Sequence, residues 1–440
     1  MTRKYRLISA IAFVFIFLLG GVIWAKVLTL DDCIQSALKN HPDIIRAKGQ
    51  VKAADGNLWQ AFGAFLPYVS ANASGSQTST EVITDTVSYG QIDTIVQRGG
   101  ISKGYSLGAS ASLTIFNGGQ NIFNYLGAKA DKSYFDYLRE QTEQGLILTV
   151  KTTYFAYLAS LKNKEAMEEA VKRSEEQLKL ANSRFEVGSA SKSDVLKAQV
   201  QDGTDKLSLL DAENGIQIAR ANLAYLVGVD VKSDVEFSTD FKRGEYSGTE
   251  ETALKFGLSN HPGLLADAKN LDVAKYDLNS TRGTYFPTLT VGVSRNWSNN
   301  QWNLLNDFRD IDASWSIRTS VNFPIFENFS RKAAMARSKA NLNNARAGYN
   351  YSRNNVATQI KTSYLKMKKA SEAFDLAGEN EAAAKEDMAI VQEKYNLGAS
   401  TILELLDAQV SLITAQTSQI KSEFDYNLAV ATLENAMGLR

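Results

Sequence analysis

The chain has 440 residues, a length that would usually make two or three domains, and its 48 basic and 48 acidic side chains balance to a net charge of zero at pH 7. That balance provides no overall attraction for nucleic acid, so nucleic acid is not an expected partner. A single cysteine and two histidines exclude an intramolecular disulfide framework and leave little for a zinc site, so no cofactor is expected.

The first 25 residues have the layout of a secretory signal peptide. Basic residues at positions 3, 4 and 6 precede an apolar run from Leu7 to Trp24, and Ala25 provides a cleavage site. The length of the run leaves an uncleaved inner-membrane anchor open as the alternative. In either case the rest of the chain is exported. Cys33 lies beyond the cleavage site, where a half-buried packing role on a short helix is favoured over lipid attachment.

Two parts of the chain repeat one another at a nearly constant spacing. Asn-His-Pro at 40–42 recurs at 260–262, and later matches such as Gly188 with Gly398 continue the series. The repeat predicts one structural unit over residues 26–228, a connector over 229–251 and a second unit over 252–440. Two copies are too few for a solenoid and indicate an internal two-fold structural repeat within one protomer.

Each copy contains two segments with the period-two alternation of a β-strand. The clearest runs from Tyr105 to Ile115, where apolar side chains alternate with serine, threonine and glycine, and its counterpart is Trp315 to Phe323. Their upstream partners are Tyr68 to about Gly75 and Leu289 to about Trp297. An antiparallel sheet on a soluble core would also alternate. The small polar inward residues and the aromatic residues near strand ends favour an outer-membrane barrel with a wet lumen.

Four strands cannot close a membrane barrel, because the smallest such barrels have about eight. If these strands span a bilayer, several chains must share one barrel. The polar links Gln77 to Gly104 and Ser298 to Asp312 are then predicted to be its exposed loops.

Two proline-free stretches, Gln120 to Glu186 and Ser330 to Asn396, predict helices too long for an ordinary globular domain. At about 1.5 Å per residue each would extend roughly 100 Å. Their pattern alone would also fit a soluble coiled coil.

Each long helix is predicted to end in a glycine turn, at Gly188 and at Gly398, from which a second helix returns antiparallel. The returning helices are predicted over Asp194 to Leu226 and Ile402 to Ala436. Their candidate N-caps are Ser191 or Ser193 in the first copy and Ser400 or Thr401 in the second.

In their order and repetition these features resemble the TolC family of outer-membrane efflux proteins, over essentially the whole mature chain. The motifs that carry the resemblance are the opening segment at 28–32, both His-Pro pairs, Phe-Asn-Gly-Gly at 116–119, and the tip patterns around Gly188 and Gly398. The resemblance implies a mixed α and β membrane protein that forms a homotrimer. Three chains would share a twelve-stranded β-barrel in the outer membrane, continued by a long α-helical barrel in the periplasm.

The resemblance also implies particular site residues. Glu404 and Asp407, three residues apart on one helix face, would form an acidic ring at the periplasmic pore entrance. A clasp that closes this entrance would join Tyr395 to Asp194. Some relatives add an arginine to the clasp at the position that Ser400 occupies here, so the clasp would be weaker or made differently.

The implied function is a passive exit duct for efflux or secretion in the cell outer membrane of a Gram-negative bacterium. It would be coupled to an inner-membrane transporter through a periplasmic adaptor (membrane fusion protein), with the tips at Gly188 and Gly398 as the docking surface. The alternative is a periplasmic coiled-coil scaffold or adaptor protein without a pore, which the strand alternation argues against. The cargo is not specified by the sequence.

An enzyme is not expected, because the sequence has no phosphate loop, zinc-binding helix pair or nucleophile elbow. His41 and His261 each precede a proline at a helix junction and fit capping or packing roles.

Overall fold

The computed structural model describes residues 27–80, 100–229, 236–240, 244–300 and 312–439. The predicted signal peptide at 1–25, most of both predicted loops and part of the connector lie outside the described residues. The chain divides into two compact units, and each unit draws on both predicted copies. Unit 1 comprises Met1–Lys48, Leu138–Leu264 and Arg353–Arg440, and unit 2 comprises Gly49–Tyr137 and Leu265–Ser352.

The described residues form a mostly helical protein with one small sheet. The helices are α1 (Leu30–Asn40), α2 (Pro42–Gly63), α3 (Gln120–Glu186), α4 (Lys192–Val227), α5 (Glu250–Asn260), α6 (Pro262–Gly283), α7 (Ser330–Asn396) and α8 (Ile402–Met437). The strands are β1 (Tyr68–Ser79), β2 (Ile101–Asn117), β3 (Thr288–Asn299) and β4 (Asp312–Asn322). The predicted bounds of both long helices are confirmed. No described helix has the length and apolar character needed to cross a bilayer.

The core of unit 1 packs α1 and α4 against the middle of α3. Cys33, Tyr154 and Leu223 are fully buried there, and the Tyr154 hydroxyl donates a hydrogen bond to the backbone carbonyl of Ser238. Burial raises the pKa of the Cys33 thiol to about 12, so the thiol stays protonated at neutral pH. Cys33 is therefore more deeply buried than the sequence predicted. Phe237 of the connector closes this core and pairs with Leu28 in a parallel bridge.

Both histidines cap helix starts, as the sequence predicted. The His41 Nδ1 accepts a hydrogen bond from the Asp43 amide at 3.3 Å, and the His261 Nδ1 accepts one from the Leu264 amide at 3.4 Å. The amide groups in the first turn of a helix have no partner within the helix, so each ring supplies an acceptor for one of them.

In unit 2 the strands form one antiparallel sheet in the order β1-β2-β3-β4. Its register puts like residues opposite one another, which gives the sheet an apolar face and a polar face. The apolar face comprises alternate residues over 69–73, 105–113, 291–297 and 313–321, with pairs such as Leu107 with Trp297 and Val293 with Ile317. The polar face comprises the intervening residues, and its facing serines, such as Ser74 and Ser106 at 2.7 Å, are hydrogen-bonded.

Two details of the predicted strands of the first copy are wrong, and β4 covers Asp312–Asn322 where Trp315 to Phe323 was predicted. The register between β2 and β3 shifts between Thr114 and Phe116, so Ile115 does not continue the predicted alternation. The predicted loop also begins too early, since Gln77–Ser79 still pair with Ile101–Lys103 as strand. Polar composition caused the second error, because a strand with solvated faces needs no apolar residues to keep its ladder.

Candidate functional site at the helical tips

The two hairpins of unit 1 end in turns with the same geometry. Gly188 and Gly398 both have a φ of 76°, in the left-handed region that favours glycine. The amide of Ser189 donates to the Arg184 carbonyl at 2.8 Å, and the amide of Ala399 donates to the Lys394 carbonyl at 2.8 Å. These six-to-one hydrogen bonds complete the carboxyl ends of α3 and α7.

The space around both glycines is open. No atom lies within 4 Å of the position that a Cβ would take at either glycine. Backbone conformation, not crowding, therefore requires glycine at each turn. The neighbouring apolar side chains are also uncovered, since Val187 and Leu397 are each 78 % exposed.

Asp194 lies at the third position of α4 and forms a capping box with Ser191. The Ser191 hydroxyl and amide donate to its carboxylate at 2.7 and 3.0 Å, while its own amide donates to the Ser191 hydroxyl at 3.2 Å. These hydrogen bonds stabilise the ionised carboxylate and lower the pKa of Asp194. Of the two predicted N-cap candidates, Ser191 is the cap.

Glu404 is the counterpart of Asp194 at the start of α8, and its surroundings differ. The Thr401 hydroxyl accepts from the Glu404 amide at 3.3 Å, so Thr401 is the N-cap. The Glu404 carboxylate instead accepts a hydrogen bond from the Ser400 hydroxyl, and this bond is the main reason that the pKa of Glu404 is lowered. Ser400 occupies the position where some relatives have an arginine. Here its hydroxyl stabilises the charge of Glu404.

Glu404 and Asp407 are both exposed, while Leu405 and Ala408 of the same helix are buried in a cluster with Tyr395. The helix therefore directs its two acids away from its packed side. Among the described residues, no group of three or more His, Cys, Asp or Glu is arranged to hold a metal ion.

Tyr395 is only 5 % exposed, and Arg184 of the first hairpin packs on its ring. The Arg184 guanidinium carbon lies 4.4 Å from the centre of the Tyr395 ring. The guanidinium also donates to the carbonyls of Tyr395 at 3.0 Å and Asn396 at 3.1 Å. One arginine of α3 therefore completes the carboxyl end of α7, where positive charge is favoured by the helix dipole.

Within the described residues of one chain, no hydrogen bond joins Tyr395 to Asp194. Both Ser191 contacts are to Oδ2 of Asp194, and the tyrosine ring faces Arg184. The sequence predicted no separate role for Arg184, which lies within the tip pattern around Gly188. A basic residue in the last turn of a helix was the available signal, but its contact with a carbonyl some 211 positions away could not be inferred from local spacing.

The family described as "Outer membrane efflux protein" matches residues 33–229 and 256–439 of the chain. The chain is 24 % identical over 415 residues to the outer membrane efflux protein BepC of Brucella suis, covering 93 % of this chain and 85 % of that protein. It is 22 % identical over 423 residues to the outer membrane protein TolC of Vibrio cholerae, covering 96 % and 92 % of the two chains.

The fold is similar to those of solved outer-membrane channels. The CmeC channel of Campylobacter jejuni aligns with a TM-score of 0.80 at 20 % identity, covering 93 % of this chain and 85 % of that chain. The MtrE channel of Neisseria gonorrhoeae, solved in its open state, aligns with a TM-score of 0.77 at 20 % identity, covering 93 % and 89 %.

Replacing Arg184 should loosen the second tip. Arg184→Gln removes two charge-assisted hydrogen bonds at a partly exposed site, a loss of about 1–2 kcal/mol in local stability. We expect amide hydrogen exchange in the turn at 396–400 to be about 5- to 30-fold faster.

Lys192→Gln is the matched control for this measurement. The Lys192 ammonium lies 5.5 Å from the centre of the Phe185 ring within the first tip, so its loss should leave exchange at 396–400 unchanged. Equal exchange in the two variants would show that Arg184 does not hold the second tip.

Proposed function

Because the chain belongs to the outer membrane efflux protein family, we propose that three copies of it assemble into one passive exit duct. The protein is an outer-membrane efflux protein of a Gram-negative bacterium. In the proposed homotrimer, each chain contributes four strands to a shared twelve-stranded barrel in the outer membrane. Each chain also contributes four helices to a long helical barrel in the periplasm.

The observation that carries the proposal is the two-faced sheet of unit 2. Apolar side chains on its apolar face are widely exposed, for example Ile317 at 62 % and Val321 at 68 %. Its polar face consists largely of serine, threonine, glycine and asparagine. An apolar face toward lipid and a small polar face toward a wet lumen are what a barrel strand requires.

The edges of the sheet supply the argument for assembly. β1 and β4 each pair with only one strand among those described. In hydrocarbon, each backbone group without a partner costs several kcal/mol, so an open sheet is not stable there. Pairing β1 of one chain with β4 of the next satisfies both edges, and three copies close the ring.

The helix lengths support the proposed two-fold repeat and its division at 26–228, 229–251 and 252–440. α1 and α5 have 11 residues each, and α2 and α6 have 22. α3 and α7 have 67 residues each, and α4 and α8 have 36. Two equivalent hairpins per chain would give a quasi-sixfold tunnel in a trimer.

We propose that the tips of the hairpins couple the channel to an inner-membrane transporter. The open turns at Gly188 and Gly398, with exposed Val187 and Leu397 beside them, provide two similar apolar surfaces for a periplasmic adaptor. A coiled-coil scaffold without a pore would need no two-faced sheet, so this alternative is disfavoured. No catalytic role is proposed for any residue.

We assign the pore entrance to the start of α8 and the gate to the contacts between tips. In a trimer, Glu404 and Asp407 would bring six carboxylates around one axis, and such rings favour cations. Arg184 joins the two hairpins of one chain. In the proposed Tyr395–Asp194 clasp the tyrosine hydroxyl would donate to Oδ1 of Asp194, because both Ser191 contacts are to Oδ2.

An aspartate placed on the apolar face should impair assembly more than one on the polar face. Leu107→Asp and Ile317→Asp would put a charge against lipid, at about 2 kcal/mol or less for each chain. Ser110→Asp and Ser320→Asp, on the same strands, would put it against water. We expect lower yields of heat-resistant trimer from outer-membrane fractions for the first pair only. Equal tolerance at all four positions would contradict the assignment of the faces.

Neutralising the acidic ring should abolish cation selectivity. We expect Glu404→Gln combined with Asp407→Asn to shift the reversal potential in a salt gradient toward zero and to remove block by multivalent cations added on the periplasmic side. Glu186→Gln, which removes an exposed acid at the first tip, should change neither. An unaltered reversal potential in the double variant would remove Glu404 and Asp407 from the pore entrance.

The same ring predicts a dependence on pH. The Ser400 hydroxyl lowers the pKa of Glu404, so this charge, present at neutral pH, persists to more acidic pH than an ordinary glutamate and is lost only below its lowered pKa. Ser400→Ala should raise that pKa toward its usual value. In this variant the cation block should therefore fade at a higher pH than in the wild type, and identical pH profiles would contradict the assignment.

Weakening the clasp should open the resting channel. A tyrosine hydroxyl donating to a carboxylate is worth roughly 1.5–3 kcal/mol where water is partly excluded. We expect Tyr395→Phe, and Asp194→Ala more strongly, to increase single-channel conductance in planar bilayers without adaptor.

Ser191→Ala separates gating from helix capping. This variant removes the cap of α4 but leaves the Asp194 carboxylate, so it should not increase conductance. A conductance equal to that of the wild type when Tyr395→Phe and Asp194→Ala are combined would show that this pair is not the gate.

A further inference from the structure

Arg295 interrupts the apolar face of the sheet. The register places Arg295 of β3 opposite Ala109 of β2 and Trp315 of β4, on the face that also carries Leu107 and Trp297. Arg295 is exposed, and its guanidinium carbon lies 5.0 Å from the centre of the Trp297 ring. A charge on the lipid side of a barrel is costly at the middle of the bilayer and nearly free of cost at its interface.

Arg295 has no acidic partner among the described residues. Among the described residues, no carboxylate forms an ion pair with Arg295, and the register places no Asp or Glu on the described part of the apolar face. The guanidinium has five N–H donors in a planar fork, and the Trp297 ring engages only its π surface. No described residue supplies an acceptor for the donors along its edge, so these donors can serve an anionic ligand.

The position of Arg295 along the strand indicates its depth. Arg295 is six residues beyond Leu289, which lies at the end of β3 nearest α6, a distance of about 20 Å at 3.4 Å per residue. Trp297, Trp315 and Tyr105 occupy the same band of the sheet. Aromatic residues of this kind mark the boundary between hydrocarbon and headgroups.

The distribution of basic residues over the apolar face agrees with that depth. Only Arg295 and Lys103 are placed there by the register of the described strands, and both lie in the half of the sheet far from the helices. In the half nearest the helices, the face carries no Lys or Arg among the described residues. The cations are thus confined to one end of the surface assigned to lipid.

We propose that Arg295, supported by Trp297 and Trp315, binds the phosphate group of a glycolipid headgroup in the outer leaflet of the membrane. The inference rests on the proposed function, since it requires the apolar face to lie against lipid with the helices on the periplasmic side. A guanidinium matches a phosphate with two parallel hydrogen bonds, which an ammonium cannot make. The Trp297 ring lies against the guanidinium, and Trp315 is its cross-strand neighbour in the band assigned to the headgroups.

Arg318 provides a matched control on the neighbouring strand. It lies on the polar face, opposite Gly292, and belongs to the same sheet. Arg318→Gln therefore removes the same charge from the same domain without touching the proposed site. Arg295→Lys keeps the charge but loses the planar fork.

The test is a lipid titration followed by native mass spectrometry on the purified, detergent-solubilised trimer. The probes are diphosphorylated lipid A, the same lipid after removal of both phosphates, and inorganic phosphate as a competitor. We expect the wild type to bind the phosphorylated lipid about tenfold more tightly than the dephosphorylated lipid, with little competition from millimolar phosphate. Arg295→Gln should remove this preference, Arg295→Lys should retain part of it, and Arg318→Gln should retain all of it.

Several outcomes would overturn the proposal. Equal affinity for the two lipids in the wild type, or the same loss in Arg295→Gln and Arg318→Gln, would show that Arg295 does not recognise a lipid phosphate. Full competition by inorganic phosphate would indicate an anion site that is not specific for lipid. The proposed function is tested separately, because a wild-type protein that forms trimers and conducts in bilayers while ignoring the lipid phosphates would contradict only this inference.

Discussion

Backbone hydrogen bonding at the edges of a four-stranded sheet is the constraint on which the rest of this protein depends. β1 and β4 each present one row of N–H and C=O groups that no other described strand of the chain pairs. Water could satisfy these groups, but the exposed apolar face beside them favours lipid, where water is absent. In the proposed assembly, neighbouring chains would supply the missing hydrogen-bond partners of both edges.

The tips show how one residue can combine a local and a functional role. Asp194 and Glu404 occupy the same position in equivalent helices, yet Asp194 is held by the Ser191 cap while Glu404 is held by Ser400. In each case a serine hydroxyl at the helix start stabilises the ionised carboxylate, and the proposed entrance would require this charge at Glu404. Arg184 adds a link between the two hairpins of a chain that has Ser400 where some relatives have an arginine.

Much of the fold could be predicted from the sequence, because long periodic segments carry a strong local signal. The bounds of α3 and α7 followed from the absence of proline and from the glycine turns at their ends. The faces of β2 and β4 followed from simple alternation. The extension of β1 to Ser79 could not be predicted, since its last residues are polar, and the bulge near Ile115 depends on pairing with a distant strand.

The candidate site was less accessible to sequence reasoning. The acids at 194, 404 and 407 were identified by resemblance to a family. Which hydroxyl each carboxylate accepts from depends on the geometry of its helix start. The contacts of Arg184 with Tyr395 and Asn396 link positions more than two hundred residues apart, and no local pattern contains that information. The pairing of Arg295 with Ala109 and Trp315 became visible only when the register of three strands was known.

Disulfide trapping between β1 and β4 tests whether neighbouring chains share one barrel. In one chain β1 and β4 are three strand spacings apart, about 14 Å, which exceeds the reach of a disulfide. We would combine Val69→Cys with Ile317→Cys, Thr319→Cys or Val321→Cys, all on the apolar face, and oxidise the protein in outer membranes. Cys33 is fully buried and protonated, so it should not interfere. At least one pair should yield a covalent trimer, while each single variant should not. Only monomers from every pair, in a protein that is present in the outer membrane, would contradict a barrel shared among chains.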